Sequence, residues 1–388
     1  MSKRKFRFLK IFFKILIIIV SMILLYFIVI IAINSKKDYN PAISEDLEIK
    51  KGRNAWFFSD KSISIISWNI GYSALGKHED FFYEGGKKMR PDKEQYKEYL
   101  KSIFNELGKM DTVDFVLLQE VDINSKRSFY TRQDSSLAGA LPTFSHVTAI
   151  NYNVPFVPFP LFNPTAKVHS GMMSFSRYIP EYAKRISFPF GYAWPMKVFF
   201  LDRCFIIEKF NLDNHKSLYI INTHNSAFDD AGDIRIAEMI FLRSYLLNFY
   251  ENGDYVVVGG DWNQNPLGFD KTKINTGDYV REIEPAIEND YLPKGWKWYY
   301  DPKTPTNRDV NTKYEKGVTT TTVLDYFLCS PNITVNEVRT INKHFENSDH
   351  NPVYLNFSLQ PDTAFCDSLK IYEKVKEIKS KEKGKKKR

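Results

Sequence analysis

Apolar residues run unbroken by charge from Ile15 to Asn34, ILIIIVSMILLYFIVIIAIN, before the chain settles into short apolar blocks separated by polar turns. About twenty such residues wound as a helix match the hydrocarbon thickness of a bilayer. The later blocks change period. Ile63-Ser-Ile-Ile-Ser67 reads as a strand ending at Trp68-Asn69, and Asp114 to Gln119 as a short apolar strand ending at Glu120. Between them Tyr96, Tyr99, Leu100, Ile103, Phe104 and Leu107 recur at helical spacing, which predicts a helix over Pro91 to Met110. Further strands are expected at Gly171 to Ser176, Arg203 to Phe210, Ser217 to Asn222, Tyr255 to Gly259, Thr322 to Leu328 and Pro352 to Phe357. Asp230 to Tyr250 reads as an amphipathic helix. No internal repeat or Gly/Ser linker divides the chain.

This pattern gives five segments: a basic cytoplasmic stretch over 1–13, a transmembrane helix over 14–34, a stalk and domain entry over 35–61, a catalytic domain over 62–360, and a basic solvated tail over 361–388. Six Lys/Arg precede the apolar run, and only Lys36 and Lys37 closely follow it. That bias places the N-terminus in the cytoplasm and the domain outside, extracellular or periplasmic. The run is longer than a signal peptide's apolar region, and Ala32-Ile-Asn34 matches a cleavage site poorly, so an uncleaved anchor is expected. The net charge of +8 misleads. Residues 1–14 and 371–388 carry +6 each, which leaves the body at about −4 and argues against a general affinity for nucleic acid. The three cysteines, Cys204, Cys329 and Cys366, have no metal-ligand spacing, and no disulfide framework is expected.

Candidate chemistry collects at strand ends. Asn69, Glu120, His224, Asp261, Asp325 and the Asp349-His350 pair all lie at or beside them, where a rigid scaffold can hold reactive groups on one rim. Two short motifs, Gly260-Asp261-Trp262-Asn263 and Ser348-Asp349-His350-Asn351-Pro352, combine carboxylates, amides and an imidazole. Carboxylates hold a hard cation, and amide or imidazolium donors face a phosphate.

Six blocks in one order then carry a resemblance: Trp68-Asn69-Ile70, Leu118-Gln119-Glu120, Gly171 to Arg177, Asn222-Thr223-His224, Gly260 to Asn263, and Ser348-Asp349-His350 preceded by Leu324-Asp325-Tyr326. Over about Ile63 to Phe357 the chain resembles the endonuclease/exonuclease/phosphatase, or DNase I-like, superfamily. The resemblance implies an α/β fold, a four-layer α/β/β/α sandwich of two mainly antiparallel sheets, here preceded by one transmembrane helix. It implies Mg²⁺, with Mn²⁺ as a substitute, held by Asn69, Glu120 and Asp349. It implies catalytic roles for His224, Asp261, Asn263, Asp325 and His350: Asp261 on the attacking water, Asn263 on a phosphate oxygen, His350 on the scissile phosphate or as a base with Asp325 behind it, and His224 facing the phosphate or leaving group. Gly171 to Arg177 is read as structural.

The substrate is less legible. Nuclease members often follow the first Asn with a second Asn, Gly and Arg, whereas Asn69 here is followed by Ile-Gly-Tyr-Ser-Ala-Leu-Gly76. A phospholipid or sphingolipid head group is the leading substrate class; an extracellular nuclease is the alternative, and a catalytically inactive binding module is a third reading of another class. Nucleic acid is not favoured as a partner, and the oligomeric state is not fixed. Tyr152 to Pro164 carries Phe156, Phe159 and Phe162 between prolines, consistent with a polyproline-like loop. Phe188 to Phe200 is similarly aromatic. Burial as irregular core is the preferred reading of both, insertion among acyl chains the alternative. Protease added to intact cells or spheroplasts should remove the catalytic domain; complete protection until lysis would reverse the orientation.

Overall fold

The computed structural model describes residues 3–53, 61–227, 229 and 232–360. In chain order the elements are α1 (Lys3–Lys36), β1 (Ser44–Asp46), β2 (Ile63–Asn69), α2 (Lys93–Gly108), β3 (Phe115–Asp122), α3 (Gln133–Ala140), β4 (Ser145–Val157), β5 (Ala166–Ser176), β6 (Tyr182–Ser187), β7 (Cys204–Asn211), β8 (Ser217–His224), α4 (Asp233–Glu251), β9 (Tyr255–Asp261), β10 (Tyr279–Val280), β11 (Lys297–Tyr299), β12 (Asn307–Arg308), β13 (Thr320–Thr322), β14 (Asp325–Cys329), β15 (Ile333–Thr340) and β16 (Val353–Leu359).

Two large sheets form the body. One runs β1-β6-β7-β8-β9-β14-β11, the other β15-β16-β2-β3-β5-β4, and β10-β13-β12 make a small third sheet. Among the described residues of the large sheets, only β2–β3 and β8–β9 pair in parallel. Alternation along each strand sends one set of side chains inward and the other outward. Ile63, Ile65, Phe115 and Leu117 therefore meet Leu218, Ile220, Val257 and Phe327 between the sheets. The opposite faces are covered by helices. Met239, Leu242 and Leu246 of α4 close over Phe205, Ile221, Val256 and Val258, while Ile103, Leu107 and Leu137 of α2 and α3 close over Ile66, Trp68, Val116 and Phe175. This is the expected four-layer sandwich. The Asp92 side chain starts α2 by accepting from the Glu94 and Gln95 amides, two of the donors a helix start leaves unpaired.

The segment read as stalk and domain entry contains β1, which adds an edge strand to β6, and Lys50, which bridges to His146. The readings of the aromatic segments change. Tyr152 to Val157 is the end of strand β4 rather than a polyproline-like turn. Pro155 is tolerated there because β4 ends the sheet order and its ladder to β5 slips between Val154 and Val157, so no ladder bond calls for an N–H at 155. Beyond Val157, Phe159 and Phe162 are exposed instead of forming irregular core, and Phe162 is 103% exposed. Phe188 in the second aromatic segment is buried, while Phe190, Trp194 and Met196 are exposed. Cys204 and Cys329 are buried free thiols. Cys366 and the basic tail lie outside the described residues.

α1 is long and apolar enough to cross a membrane: within Arg7–Lys36 an 18-residue window has a mean hydropathy of 3.3, and its apolar side chains are exposed along most of its length.

One buried charge offers a test of the sandwich. Glu208 of β7 is 1% exposed, and burial pushes its carboxyl up to about 8 from 4.5. Its folded form holds a proton that the unfolded chain releases, so its contribution is favourable below the ordinary carboxylate range and is lost as pH rises towards 8. Glu208→Gln should therefore gain thermal stability relative to the parent chain between pH 5 and 8, read as a widening difference in melting temperature. A constant difference would place Glu208 in water.

Candidate active site

Sheet register builds half of the site. Parallel pairing puts His224 of β8 opposite Asp261 of β9, and antiparallel pairing puts Asp325 of β14 opposite the same Asp261. Directly opposed residues share a face, so an imidazole and two carboxylates stand in a row across three strands. The row depends on Gly260. A Cβ there would fall 2.0 Å from the Thr223 carbonyl oxygen, so only glycine allows β8 and β9 to approach this closely.

The second sheet supplies the other half. Asn69 ends β2, and Glu120 sits in β3 where the ladder to β5 slips between Leu118 and Val121. Glu120 adopts φ 58°, a left-handed backbone unusual for a side-chain-bearing residue. The bulge thereby redirects its carboxylate off the regular strand alternation, a use of strain common at functional sites. Ser348-Asp349-His350 lies just before β16. Trp68 Nε1 donates to the His350 carbonyl at 3.0 Å, and Ser348 Oγ donates to the Asn69 carbonyl at 2.8 Å, fixing this segment against β2.

All eight sequence-expected side chains gather here. Asn69 Nδ2 donates to Asp261 Oδ2 at 2.9 Å. The same oxygen lies 3.6 Å from His224 Nε2 and 3.7 Å from His350 Nε2. His224 Nε2 is also 3.8 Å from Glu120 Oε1, and His350 Nε2 is 3.9 Å from Asp349 Oδ2. The Asn263 amide donates to Asp261 Oδ1 at 3.0 Å, while its side chain donates to the Asn225 carbonyl at 2.9 Å. His350 Nδ1 and Asp325 Oδ2 are 2.7 Å apart, the shortest contact of the set.

Burial and charge set the protonation states. Burial alone would lower the His350 pKa, but Asp325, Asp261 and Asp349 together hold it well above 6.5, so the ring is an imidazolium at neutral pH. Burial pushes Asp325 up to about 6 against the opposing pull of His350. His224 behaves oppositely. Burial, with the charges of Arg203 and His350, drives it well below 6.5. Its approaches to Glu120 and Asp261 are therefore contacts of a neutral ring, too long for hydrogen bonds, and not ion pairs. Burial and then Asp349 push Glu120 up to about 8, and Asp349 is raised too.

Such an arrangement fits a divalent cation. Four carboxylates, those of Glu120, Asp261, Asp325 and Asp349, crowd a buried space in which Asp261 makes the other three harder to ionise, and Asp349 adds to the effect on Glu120. The ligand atoms of Asp261, Asp325 and His350 all lie within 4.8 Å of one another. The His350–Asp325 contact already engages both partners, which leaves the oxygens of Glu120, Asp349, Asp261 and Asn69 as a hard-donor set.

Other residues of the site carry no motif. The Asn307 side-chain amide stands 3.0 Å from His350 Nε2. A protonated Nε2 is a donor and calls for the amide oxygen on that side. Thr306 Oγ1 accepts from the Leu324 and Asp325 amides, holding the start of β14. Arg127 pairs with Asp122 at 3.0 Å and lies 3.1 Å over the Tyr72 ring, from where its charge favours ionised Glu120. Arg177, by contrast, donates to the Val113 carbonyl and is structural.

The chain matches the sequence profile of the Endonuclease/Exonuclease/phosphatase family over residues 66–350. Similar solved structures include ANGEL2, a 2′,3′-cyclic phosphatase in complex with adenosine-2′,3′-vanadate, at 13% identity and TM-score 0.51, covering 81% of this chain and 99% of that one. A Bacteroides vulgatus endonuclease/exonuclease/phosphatase is 14% identical, with TM-score 0.49 and 77% and 100% of the two chains covered. Danio rerio (D. rerio) TDP2, complexed with a single-strand DNA product, gives 14%, 0.48, 77% and 100%. Comparison with curated proteins found no match. The profile spans most of the chain and both motif-bearing sheets. The chain belongs to the endonuclease/exonuclease/phosphatase family and is a metal-dependent phosphoric-ester hydrolase.

Proposed function

We propose that this protein is a membrane-anchored, Mg²⁺-dependent phosphoesterase that acts outside the cytoplasm on a phospholipid or sphingolipid head group. The observation that carries the membrane part is the grip of the domain on the end of α1. Asn34 is fully buried, and its Nδ2 donates to the Phe156 carbonyl at 2.9 Å. Cleavage of the helix as a signal peptide would remove that contact, so the reading favours a retained anchor. The positive flank of α1 supports a cytoplasmic N-terminus.

In this reading Glu120, Asn69 and Asp349 hold the ion, which when bound supplies Lewis-acid polarisation of a phosphoryl oxygen. Asp261, already anchored by Asn69 and the Asn263 amide, orients and deprotonates the attacking water. The His350 imidazolium, its Nδ1–H held by Asp325, turns its Nε2–H from Asn307 to a phosphoryl oxygen as negative charge develops there, and Asp325 keeps it protonated and aimed. Neutral His224 hydrogen-bonds the phosphate or leaving group. Asn263 keeps one amide hydrogen for a phosphate oxygen, since the other is committed to Asn225.

Full-length protein in detergent, supplied with Mg²⁺, should hydrolyse bis-p-nitrophenyl phosphate and at least one of sphingomyelin or phosphatidylcholine. Hydrolysis of plasmid DNA alone would overturn the lipid reading. Glu120→Gln keeps shape but removes charge, and turnover should fall on the order of a hundredfold, with partial rescue by excess metal. Full activity in EDTA would defeat the metal assignment. The Asp325→Asn variant removes the carboxylate that most raises the His350 pKa. The alkaline limb of its pH–kcat profile should move to lower pH, alongside a lower plateau on every phosphate ester. An unmoved limb would show that His350 is not the acid.

A further inference from the structure

Two aromatic segments surround the outer end of α1. Residues 158–165, between β4 and β5, expose Phe159, Leu161 and Phe162 at 44%, 56% and 103%. Residues 188–200 expose Phe190, Trp194 and Met196. Both touch the helix. Asn34 Nδ2 reaches the carbonyls of Phe156 and Val198, Trp194 Nε1 donates to Ser35 Oγ at 3.1 Å, and Lys197 pairs with Asp38 at 2.9 Å. The Phe159 ring stacks on Phe27, deep within the apolar run, at 5.8 Å and 23°. At ~1.5 Å of rise per residue, Phe27 lies about 10 Å along the helix from Asn34, towards the centre of the apolar run.

That offset fixes a depth. If α1 spans a bilayer, a side chain stacked on Phe27 is below the polar boundary marked by Asn34 and Lys36. An exposed apolar patch beside a membrane helix is continuous with the helix's own lipid-facing surface. We propose that these two segments form a collar that sinks into the outer leaflet around α1. Phe159, Leu161 and Phe162 reach the acyl chains, and Trp194 sits at head-group level, where its ring is amphipathic and its N–H remains bonded. The inference rests on the reading of α1 as a retained anchor.

The collar also borders the catalytic wall. Tyr83 Oη lies 3.1 Å from both the Phe159 carbonyl and Thr165 Oγ1, and Lys126 Nζ donates to the Pro164 carbonyl at 2.9 Å. Arg127, next in the chain, pairs with Asp122 and acts electrostatically on Glu120. The substrate class that follows is a phosphate ester carried by a lipid of the same leaflet, attacked without leaving the bilayer.

The test uses full-length protein in phosphatidylcholine vesicles, with Cys366→Ser and a single polarity-sensitive fluorophore on Phe162→Cys, Leu161→Cys or, for reference, the exposed Tyr279→Cys. Only protein retained after alkaline carbonate washing is read. Probes at 161 and 162 should emit at shorter wavelength, be quenched by lipids with a nitroxide on the acyl chain, and resist aqueous iodide. The probe at 279 should show the reverse. Iodide access at 162 equal to that at 279 would overturn the proposal. So would protection without nitroxide quenching, which would mean that a second protein copy covers the patch. Release of all protein by carbonate would instead defeat the anchor reading. Leu161→Ser with Phe162→Ser should lose about tenfold or more on vesicle lipid, and nothing on bis-p-nitrophenyl phosphate, as expected from removing two buried apolar side chains. Equal losses on both substrates would place the loop in the fold's support of the site.

Discussion

Asp261 Oδ2 is the point at which the two sheets' chemistry meets. It accepts from Asn69 of one sheet and stands level with His224 and Asp325 of its own, within 3.7 Å of His350 Nε2. Around it four carboxylates share a space with one imidazolium, and burial penalises every charge. Such an excess of buried negative charge is costly unless a cation or protons offset it. The His350–Asp325 pair offsets part. The raised pKa of Glu120 records the remainder, and a divalent ion would relieve it. The strained backbone of Glu120 and the glycine at 260 are the local conditions for bringing these groups so close.

The same constraint explains what the sequence revealed. Motif residues at strand ends were legible because register alone carries Asp261, Asp325 and His224 to one level, and because the family blocks fixed their order. Asn307, Thr306 and Arg127 were not. They come from loops and a two-residue strand whose place beside His350, Asp325 or Glu120 is set by long-range packing, and nothing in their neighbouring residues marks it. The fold was read unevenly for similar reasons. Apolar strands such as β8 and β9 announce themselves. β6 hides its alternation behind Lys184 and Arg185, of which Arg185 is buried and bonded to the Ile150 and Asp202 carbonyls. β15 is a half-exposed edge strand with little apolar pattern to find. The aromatic loop after β4 departs from its expected burial because composition cannot tell a ring packed in protein from an exposed one.

Sheet geometry, anchor and loop then suggest one arrangement. A scaffold whose sheets meet at a charged rim puts hydrolytic chemistry at one end, and the chain's apolar helix is held by the end of strand β4 and by the segment before β7. Anchoring of this kind would confine catalysis to a surface, where a soluble enzyme would have to find it by diffusion.

The claim on which the rest stands is that the carboxylate cluster is a metal centre. Calorimetric titration of Mg²⁺ into the full-length protein in detergent tests it without reference to any substrate. Binding of one ion in the parent chain, sharply weakened in both Glu120→Gln and Asp349→Asn, is the expected result. Absence of binding, or equal binding in all three proteins, would contradict it.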